Sequence, residues 1–165
     1  MEEGKLSKKD IKIVIAAHKP YRMPEDTMYV PLHVGAEGKK NPDGTPLDLG
    51  YQKDNEGDNI SAKNPNYCEL TGIYYAWKNI PAEYLGLVHY RRYFKGKNKS
   101  KDPFACIVTE PEMEKIFETH RIVVPKKRKY YIETLYSHYA HTHYAEHLDC
   151  VREIIGEQCP DYLNS

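Results

Sequence analysis

The sequence predicts one α/β domain in which a mixed, mostly parallel β-sheet is flanked by helices. Short runs of β-branched and aliphatic residues are typical of buried strands, and here they end in basic turns. Other segments carry apolar residues at helical spacing. A buried strand that runs into a small-residue, basic turn is how a nucleotide-binding α/β domain commonly opens. The chain of 165 residues has room for one domain with a buried core.

Three buried strands are predicted. The first lies at residues 11–15, a β-branched apolar run. The second opens the segment LGLVHYRRYF, residues 85–94, where Gly86 lets another backbone approach closely. The third lies within RIVVPKKRKY, residues 121–130. A shorter strand at residues 30–34 begins a long loop-rich stretch, and such a stretch is usually functional or disordered.

The clearest predicted helix covers about residues 66–78. Asn66 can cap it, with Glu69 closing a capping box; alternatively, Asn64 caps it and Pro65 takes the first helical position. Apolar residues recur on one face of this helix: Tyr67, Leu70, Tyr74 and Trp77.

The other segments complete the predicted organisation. Amphipathic helices are expected at residues 111–119 and 148–155, and the segment at residues 130–147 is helix or loop. Residues 1–10 form a polar leader, and residues 11–165 form the domain.

Composition excludes some classes of function. Lys plus Arg and Asp plus Glu both number 24, so no global field favours nucleic acid or an anionic membrane, and any anion site must be local. The 15 tyrosines suit amphipathic clefts that bind sugars or nucleobases, or else a tyrosine-rich, half-exposed core. No stretch approaches the roughly 18 apolar residues of a membrane span. The four scattered cysteines indicate reduced thiols in a cytoplasmic protein, which could sit peripherally at the inner face of the membrane.

Three basic, aromatic clusters follow the predicted buried strands. They are HKPY at residues 18–21, HYRRY at residues 89–93 and KKRKYY at residues 126–131. If the strands are parallel neighbours, the clusters converge on the edge of the sheet where ligands bind. Arginine suits a diphosphate because its fork donates two hydrogen bonds and stays charged. The alternative for each cluster is an ordinary solvated strand exit.

A histidine-rich tract at residues 138–147 and two carboxylates need separate interpretations. The spacing of the tract permits zinc, but no cysteine or carboxylate pattern accompanies it, so neutral imidazoles bonded to sugar hydroxyls or backbone are favoured. Asp58 is either a ligand of ribose or sugar hydroxyls or an ordinary turn aspartate. Glu69 most simply serves as the capping acceptor. The sequence lacks the signatures of kinases, Rossmann dehydrogenases and serine hydrolases.

Four blocks of the sequence resemble bacterial capsular and exopolysaccharide glycosyltransferases of a family long catalogued as a domain of unknown function. In order, they are KIVIAAHKPYRMP, GDNISAKNPNYCELTGIYYAWKN, EYLGLVHYRRYF and KKRKYYIETLYSHYAHTHYAEHLD. The resemblance implies a GT-A-like fold, a nucleotide-diphosphate sugar, expected to be UDP-linked, and a glycan or lipid-linked oligosaccharide acceptor. Family members are usually longer. The C-terminal part of the domain is therefore expected to be missing, which would leave donor binding or slow donor hydrolysis.

The resemblance also bears on metal dependence. GT-A enzymes typically hold Mn²⁺ or Mg²⁺ with an Asp-x-Asp at the strand end that here reads His89-Tyr90-Arg91. A strand end that supplies cations need not recruit a metal. The expectation is an enzyme with no required cofactor, and the departure from Asp-x-Asp leaves Mn²⁺ or Mg²⁺ dependence open.

The expected function is transfer of a hexose, with galactose in pyranose or furanose form as the favoured sugar, to a capsular or exopolysaccharide intermediate. Residues expected to bind the donor nucleotide and sugar are His18, Lys19, Tyr21, Asp58, Asn59, Ser61 and Lys63. Those expected at the diphosphate are His89, Arg91 and Arg92. Candidate acceptor contacts are Tyr90, Tyr93, His138, His141 and His143. No catalytic residue is assigned. Two alternatives stay open: a non-catalytic nucleotide-sugar or glycan-binding module, and a zinc-stabilised interaction protein.

Overall fold

The computed structural model describes residues 8–163, which belong to two compact units. The N-terminal unit ends at Val123, and the C-terminal unit begins at Val124. The sheet belongs to the first of these units. Residues 1–7 of the predicted leader lie outside the described residues.

Four strands form the sheet: β1 (Ile11–Ala17), β2 (Tyr29–His33), β3 (Gln52–Lys53) and β4 (Tyr84–His89). They are all parallel, in the order β3-β2-β1-β4. The helices are α1 (Asn64–Tyr67), α2 (Leu70–Asn79), α3 (Glu110–Phe117), α4 (Leu135–Thr142) and α5 (Glu146–Gln158). Short 3₁₀ helices lie at Ser61–Lys63, Pro103–Cys106 and Pro160–Tyr162. The predicted α/β fold class is confirmed.

β1 is central because it is apolar on both faces. Every residue of β1 except Lys12 is buried, and parallel pairing on both sides satisfies its backbone. Alternate side chains of β1 enter two separate apolar clusters, one on each face of the sheet. Gly86 in β4 permits a close approach by the side chain of Ile13, rather than by another backbone as predicted: a Cβ there would lie 3.2 Å from Ile13 Cγ1.

The helix predicted at residues 66–78 is two helices. Cys68, with φ 47° and ψ −130°, separates α1 from α2. Asn64 and Pro65 are the first two residues of α1, which favours the second of the two predicted starts. Glu69 precedes α2 without a side-chain capping hydrogen bond, so the predicted capping role of its carboxylate is wrong.

The apolar stripe found in the sequence is not the buried face of α2. Tyr67, Leu70 and Trp77 are 47%, 56% and 65% exposed. The buried residues of α2 are Thr71, Gly72, Tyr75 and Ala76. A Cβ at Gly72 would lie 2.8 Å from Val34 Cγ1, so position 72 must lack a side chain for the helix to approach Val34 this closely. Close packing, rather than apolar character alone, decides which face is inside.

The strand predicted at residues 121–130 is wrong. This segment has no regular secondary structure, and Ile122 and Val124 are 78% and 71% exposed. Its short apolar run is compatible with a strand, yet among residues 8–163 no strand pairs with the outer edge of β4. The third basic cluster, residues 126–131, therefore follows no strand and belongs to the C-terminal unit.

The helix predicted at residues 111–119 is confirmed as α3. The N–H of Thr109 donates to Glu112 Oε2 at 2.9 Å, which begins the helix with a capping box. The apolar face of α3 packs into the core through Met113, Ile116 and Phe117.

The helix predicted at residues 148–155 is confirmed within α5, and the segment left as helix or loop contains α4. Thr134 caps α4 by accepting a hydrogen bond from the N–H of Ser137 at 3.1 Å. No described residue of the C-terminal unit is buried, and Val151 and Ile154 are about half exposed. The amphipathic pattern thus predicts α5 correctly, but none of the described residues of this unit forms a buried core with it.

Candidate functional site

The sheet topology selects one place for a ligand. From β1 the chain adds β2 and β3 on one side, and it then places β4 on the other side of β1. Ligands of open α/β sheets bind outside the carboxyl ends of the strands, where the strand order reverses in this way. His18 follows β1 at this point, and residues 89–92 form the exit of β4.

Aromatic contacts join the exits of these two strands. Tyr90 is buried and stacks on Tyr21, with ring centroids 3.6 Å apart and planes 13° apart. His18 meets the Tyr90 ring edge-on at 5.3 Å. Arg91 places its guanidinium carbon 5.0 Å from the Tyr90 centroid, and Lys19 Nζ lies 5.9 Å from the Tyr21 centroid. The first two basic clusters therefore converge, as predicted.

Arg91 and Arg92 are exposed at this edge, and no carboxylate among the described residues pairs with them. The N–H of Arg92 donates to the carbonyl of His89 at 2.8 Å, so the backbone turns tightly as it leaves β4. Within residues 8–163, neither guanidinium forms an ion pair or a side-chain hydrogen bond. Arg22, by contrast, pairs with Asp102 through two hydrogen bonds of 3.0 and 2.7 Å. Both arginines remain available to an anion.

Two open cavities meet at the exit of β4. The arginine cavity, of about 420 Å³, is lined by Glu69, His89, Arg91 and Arg92 together with two apolar residues of β4. The His18 cavity, of about 150 Å³, is lined by His18, Asn64, Cys68, Glu69, His89 and two apolar residues. Glu69 and His89 belong to both linings and stand where the two cavities meet.

A third cavity, the aromatic cavity, lies on the other side of Arg91. It has a volume of about 300 Å³, and its lining includes Tyr90, Arg91, Tyr93 and Phe104. Tyr93 meets Phe104 at a centroid distance of 5.8 Å, and its buried hydroxyl has no hydrogen-bond partner among the described residues. Aromatic faces with a polar handle suit a sugar or a base. The two tyrosines predicted to contact an acceptor, Tyr90 and Tyr93, thus line a cavity that shares Arg91 with the cationic one.

Burial lowers the pKa of His89, the carboxylate of Glu69 raises it less, and the nearby charges of Arg91, Arg92 and His18 lower it further, which favours the neutral imidazole. The Nε2 atom lies 3.6 Å from Glu69 Oε1, and the buried Nδ1 atom has no partner among the described residues. Positive charge at this edge therefore comes from the arginines, while His89 contributes polarity.

The loop between β2 and α2 is organised by Asp54, which the sequence analysis missed. Asp54 is fully buried and accepts four hydrogen bonds. Its donors are the N–H groups of Gly35 at 2.8 Å and Ala36 at 3.0 Å, and the hydroxyls of Ser61 at 2.5 Å and Thr71 at 2.7 Å. Thr71 lies in the first turn of α2, so the network fixes the helix that carries Glu69. Nothing in the polar run KDNEGDN distinguishes this aspartate from its neighbours.

The predicted donor-binding residues of this loop do not form one group. Asp58 accepts a hydrogen bond from Tyr74 at 3.1 Å, and its carbonyl accepts one from Asn79 at 2.8 Å. Asn79 ends α2, about 15 Å along the helix axis from Glu69. Ser61 is buried, donates to Asp54 and accepts the N–H of Glu37. Exposed Lys63 ends the 3₁₀ helix that precedes α1, and Asn59 bonds to Gly57.

The predicted histidines lie in the C-terminal unit. Glu133 receives contacts from His138 Nδ1 at 2.6 Å and His141 Nδ1 at 3.0 Å, and the hydrogen bond from His138 lowers the pKa of Glu133 most. His143 follows α4 and meets Tyr139 at a ring distance of 4.6 Å. Among residues 8–163 no group of three or more His, Cys, Asp or Glu side chains could hold a metal. The zinc alternative thus has no support from the described residues.

Comparison with protein families adds a relationship to this geometry. The model of a domain of unknown function, DUF4422, matches residues 12–165. The chain belongs to the DUF4422 family. No curated protein matches this DUF4422 chain.

A solved structure is similar to the DUF4422 chain throughout most of its length. The apo structure of the bifunctional glycosyltransferase WbbM matches it with a TM-score of 0.73 and 28% sequence identity. The match covers 93% of this chain and 30% of the WbbM chain. The GT-A-like fold class expected from the sequence is confirmed, and the similarity supports a glycosyltransferase-like family. None of the described helices is long and apolar enough to cross a membrane.

Proposed function

We propose that this chain binds a UDP-linked sugar and transfers its hexose, with galactose as the favoured sugar, to a capsular or exopolysaccharide intermediate. The carrying observation is the pair Arg91 and Arg92, exposed at the switch point of the sheet without a carboxylate partner among the described residues. The similarity to WbbM supports glycosyl transfer as the chemistry. Donor, acceptor and polysaccharide are proposals that follow from the resemblance.

The arginine cavity suits a diphosphate. Two guanidinium groups can each offer a planar fork of donors, and both remain charged at any physiological pH. When the sugar–phosphate bond breaks, negative charge accumulates on the leaving diphosphate, and fixed cations there stabilise the transition state. We therefore propose that Arg91 and Arg92 perform the task that a metal performs in Asp-x-Asp enzymes.

The neighbouring aromatic residues suit the rest of the donor. His18, Lys19 and Tyr21 follow β1 and are proposed to line the nucleotide pocket, since Tyr21 and His18 already pack on the buried Tyr90. Sugar contacts are proposed for Asn59 and Lys63, whereas Ser61 holds Asp54 and Asp58 is bonded at the far end of α2.

Acceptor contacts are proposed at the aromatic cavity. Tyr93 and Tyr90 line that cavity, where a flat sugar face can stack and the unpartnered Tyr93 hydroxyl can bond to it. His138, His141 and His143 remain proposed acceptor contacts of the C-terminal unit. We further propose a cytoplasmic protein that acts peripherally at the inner membrane face.

The proposal is tested by thermal unfolding with UDP-galactose, UDP-glucose, UDP, GDP-mannose and free galactose, each with and without EDTA. Binding to the native state alone stabilises a protein by about 2.7 kcal/mol at a hundredfold excess over Kd. For a chain of this size that is a rise in Tm of roughly 5–10 °C. UDP-sugars should raise Tm equally with and without EDTA, and free galactose should not.

Two results would contradict parts of this proposal. No rise with any nucleotide would reject nucleotide-sugar binding altogether. A rise that EDTA abolishes would reject the metal-free diphosphate site alone. Stable donor binding without any release of UDP would favour the alternative of a non-catalytic nucleotide-sugar-binding module.

A further inference from the structure

We infer that Glu69 is the general base of the proposed glycosyl transfer and that His89 positions it. The inference rests on the proposed function and assigns the catalytic residue that the sequence leaves open. It starts from a carboxylate without a structural task. Glu69 immediately precedes α2, but its side chain makes no capping hydrogen bond there. The helix start is held instead by the backbone, because the Glu69 carbonyl accepts the N–H of Gly72 at 3.0 Å.

The position of Glu69 is the second observation. Among residues 8–163 it is the only carboxylate that lines either the arginine cavity or the His18 cavity. Its side chain is 47% exposed, so a substrate can reach it. A diphosphate held by Arg91 and Arg92 would place the attached sugar within the same cavity as Glu69. A hydroxyl group that attacks this sugar needs a proton acceptor close to the sugar and separate from the diphosphate.

The third observation is the hydrogen-bonding state of His89. Its Nδ1 atom is buried and has no partner among residues 8–163. A lone pair is less costly to bury unpaired than an N–H donor, so the proton belongs on Nε2, which lies 3.6 Å from Glu69 Oε1. At 3.6 Å the two atoms face each other without forming a hydrogen bond in the structure. In the proposed mechanism this contact shortens when substrate binds, and Nε2 then donates to Glu69.

The charged neighbours of His89 agree with this state. Burial lowers the pKa of His89, as do Arg91, Arg92 and His18, and Glu69 only partly opposes them. A neutral imidazole can orient a carboxylate without neutralising it. The Asp54 network fixes the first turn of α2 two residues beyond Glu69, so the backbone that carries the base is rigid.

The chemical step is a single displacement. The acceptor hydroxyl oxygen forms a bond to the anomeric carbon of the donor while a Glu69 oxygen removes the hydroxyl proton. The bond between the anomeric carbon and the diphosphate oxygen breaks, and its electron pair leaves with UDP, whose charge Arg91 and Arg92 stabilise. With water as acceptor the same step hydrolyses the donor. A hydroxyl that attacks in a single displacement, from the face opposite the leaving group, gives a product of opposite anomeric configuration.

The test uses Glu69→Gln, with Glu118→Gln as the matched control. Glu118 is exposed at the end of α3 and lines neither cavity. UDP release from UDP-galactose in water is measured, with donor affinity measured by calorimetry. Glu69→Gln should lower kcat by about 10²- to 10⁴-fold, the usual contribution of a general base, with affinity within about threefold of wild type. Glu118→Gln should behave as wild type.

The role of His89 is tested by rescue. His89→Ala should lower kcat while leaving donor affinity close to that of wild type, because the carboxylate loses its donor. His89→Gln restores a donor and should recover part of kcat. A merely structural histidine would lower Tm in both variants without lowering kcat of the folded protein, and that result would reject the positioning role.

The outcomes separate this inference from the proposed function. A wild-type protein that binds no UDP-sugar contradicts the proposed function, and the inference falls with it. Donor binding without UDP release by wild type contradicts the proposed transfer, whereas UDP release with equal kcat in wild type and Glu69→Gln rejects the inference alone. First-formed galactose that retains the anomeric configuration of the donor also rejects it, because a single displacement inverts that configuration.

Discussion

Asp54 and the pair Arg91 and Arg92 lie along the same carboxyl edge of the sheet, yet the protein treats their charges in opposite ways. Asp54 is fully buried, and four donors within the chain surround its carboxylate. The two arginines are exposed, border a cavity and have no carboxylate partner among the described residues.

This difference separates a structural charge from one kept for a ligand. A buried charge must be satisfied internally, because leaving it unpaired is costly. An exposed charge costs little in water and retains its capacity to bind an anion. We therefore assign Asp54, whose carboxylate is saturated by donors, to the scaffold, and Arg91 and Arg92, which have no carboxylate partner among the described residues, to the site.

The largest expected effect is on stability, from Asp54→Ala. The change leaves buried N–H and hydroxyl donors without an acceptor, each costing about 1–3 kcal/mol, so a total loss of more than about 3 kcal/mol is expected. Urea unfolding measures it. Asp58→Ala is the matched control, since Asp58 is exposed, and its loss should be below about 1 kcal/mol. Equal losses of unfolding free energy in Asp54→Ala and Asp58→Ala would show that the burial and the four hydrogen bonds of Asp54 do not make it more important to stability than Asp58.

The next effect is on binding, from Arg91→Ala and Arg92→Ala. Each should lower the affinity for UDP-galactose by about 1.5–3 kcal/mol, the range for hydrogen bonds to charged groups. Lysine at either position should restore only part, because it keeps the charge but loses the fork. Isothermal titration calorimetry measures the affinity, and Tm without ligand should stay near that of wild type.

Arg121→Ala is the control for the arginine variants. Arg121 is also exposed and has no ion pair among the described residues, but it lines none of the three cavities at the β4 exit. Its replacement should leave donor affinity unchanged. If Arg91→Ala and Arg92→Ala instead lower Tm and leave affinity intact, the arginines belong to the scaffold and the comparison with Asp54 fails.

A smaller effect is expected at Cys68, where scaffold and site meet. Its φ of 47° with ψ of −130° lies in a region that favours glycine, and such a conformation costs a non-glycine residue of order 1–3 kcal/mol. Cys68→Gly should relieve part of this strain and stabilise the fold by about 1 kcal/mol in urea unfolding. Cys150→Gly is the control, because Cys150 lies within α5, where glycine should destabilise by about 0.5–1 kcal/mol. A destabilised Cys68→Gly protein would show that the conformation is not strained.

The sequence predicts the parts of this fold that depend on local pattern. β1 and the strand that opens LGLVHYRRYF are recognisable because runs of β-branched and aliphatic residues indicate buried strands by themselves. The basic residues that follow each strand are visible in the sequence as well. The convergence of His18 with Tyr90 follows from parallel neighbours. Site roles assigned to individual residues remain predictions.

The errors concern properties that depend on tertiary packing. The buried face of α2 is set by the contact of Gly72 with Val34, which no periodicity reveals. The apolar run at residues 121–125 lacks a strand partner among the described residues. Asp54 becomes distinctive only when Gly35 and Thr71 bring their donors to it. A pattern of residue types cannot show which carboxylate will accept hydrogen bonds from several donors in the folded chain.

The smallest expected effect is a pH dependence of stability that distinguishes a scaffold histidine from a site histidine. His33 ends β2, is 1% exposed and has an unpartnered Nδ1 among the described residues. Burial lowers its pKa, as do Lys53 and Lys39, while Asp54 and Asp48 raise it. The pKa of His89 is lowered as well, mainly by burial.

Because both histidines have a lower pKa folded than unfolded, the unfolded chain binds more protons as pH falls below about 6.5. Their contribution to the free energy of unfolding is complete above that pH, and it is lost as the pH falls toward the pKa values of the folded state. Carboxylates whose pKa is lowered, such as Asp102 beside Arg22, affect stability at lower pH, so the two pH ranges are separable.

Urea unfolding between pH 5 and 7.5 should show this loss of stability, and the loss should be smaller in His33→Leu and in His89→Gln. UDP-galactose should alter the slope of unfolding free energy against pH in His33→Leu, which retains His89. It should leave that slope unchanged in His89→Gln. If UDP-galactose instead alters the slope in His89→Gln, the histidine that responds to the ligand belongs to the scaffold.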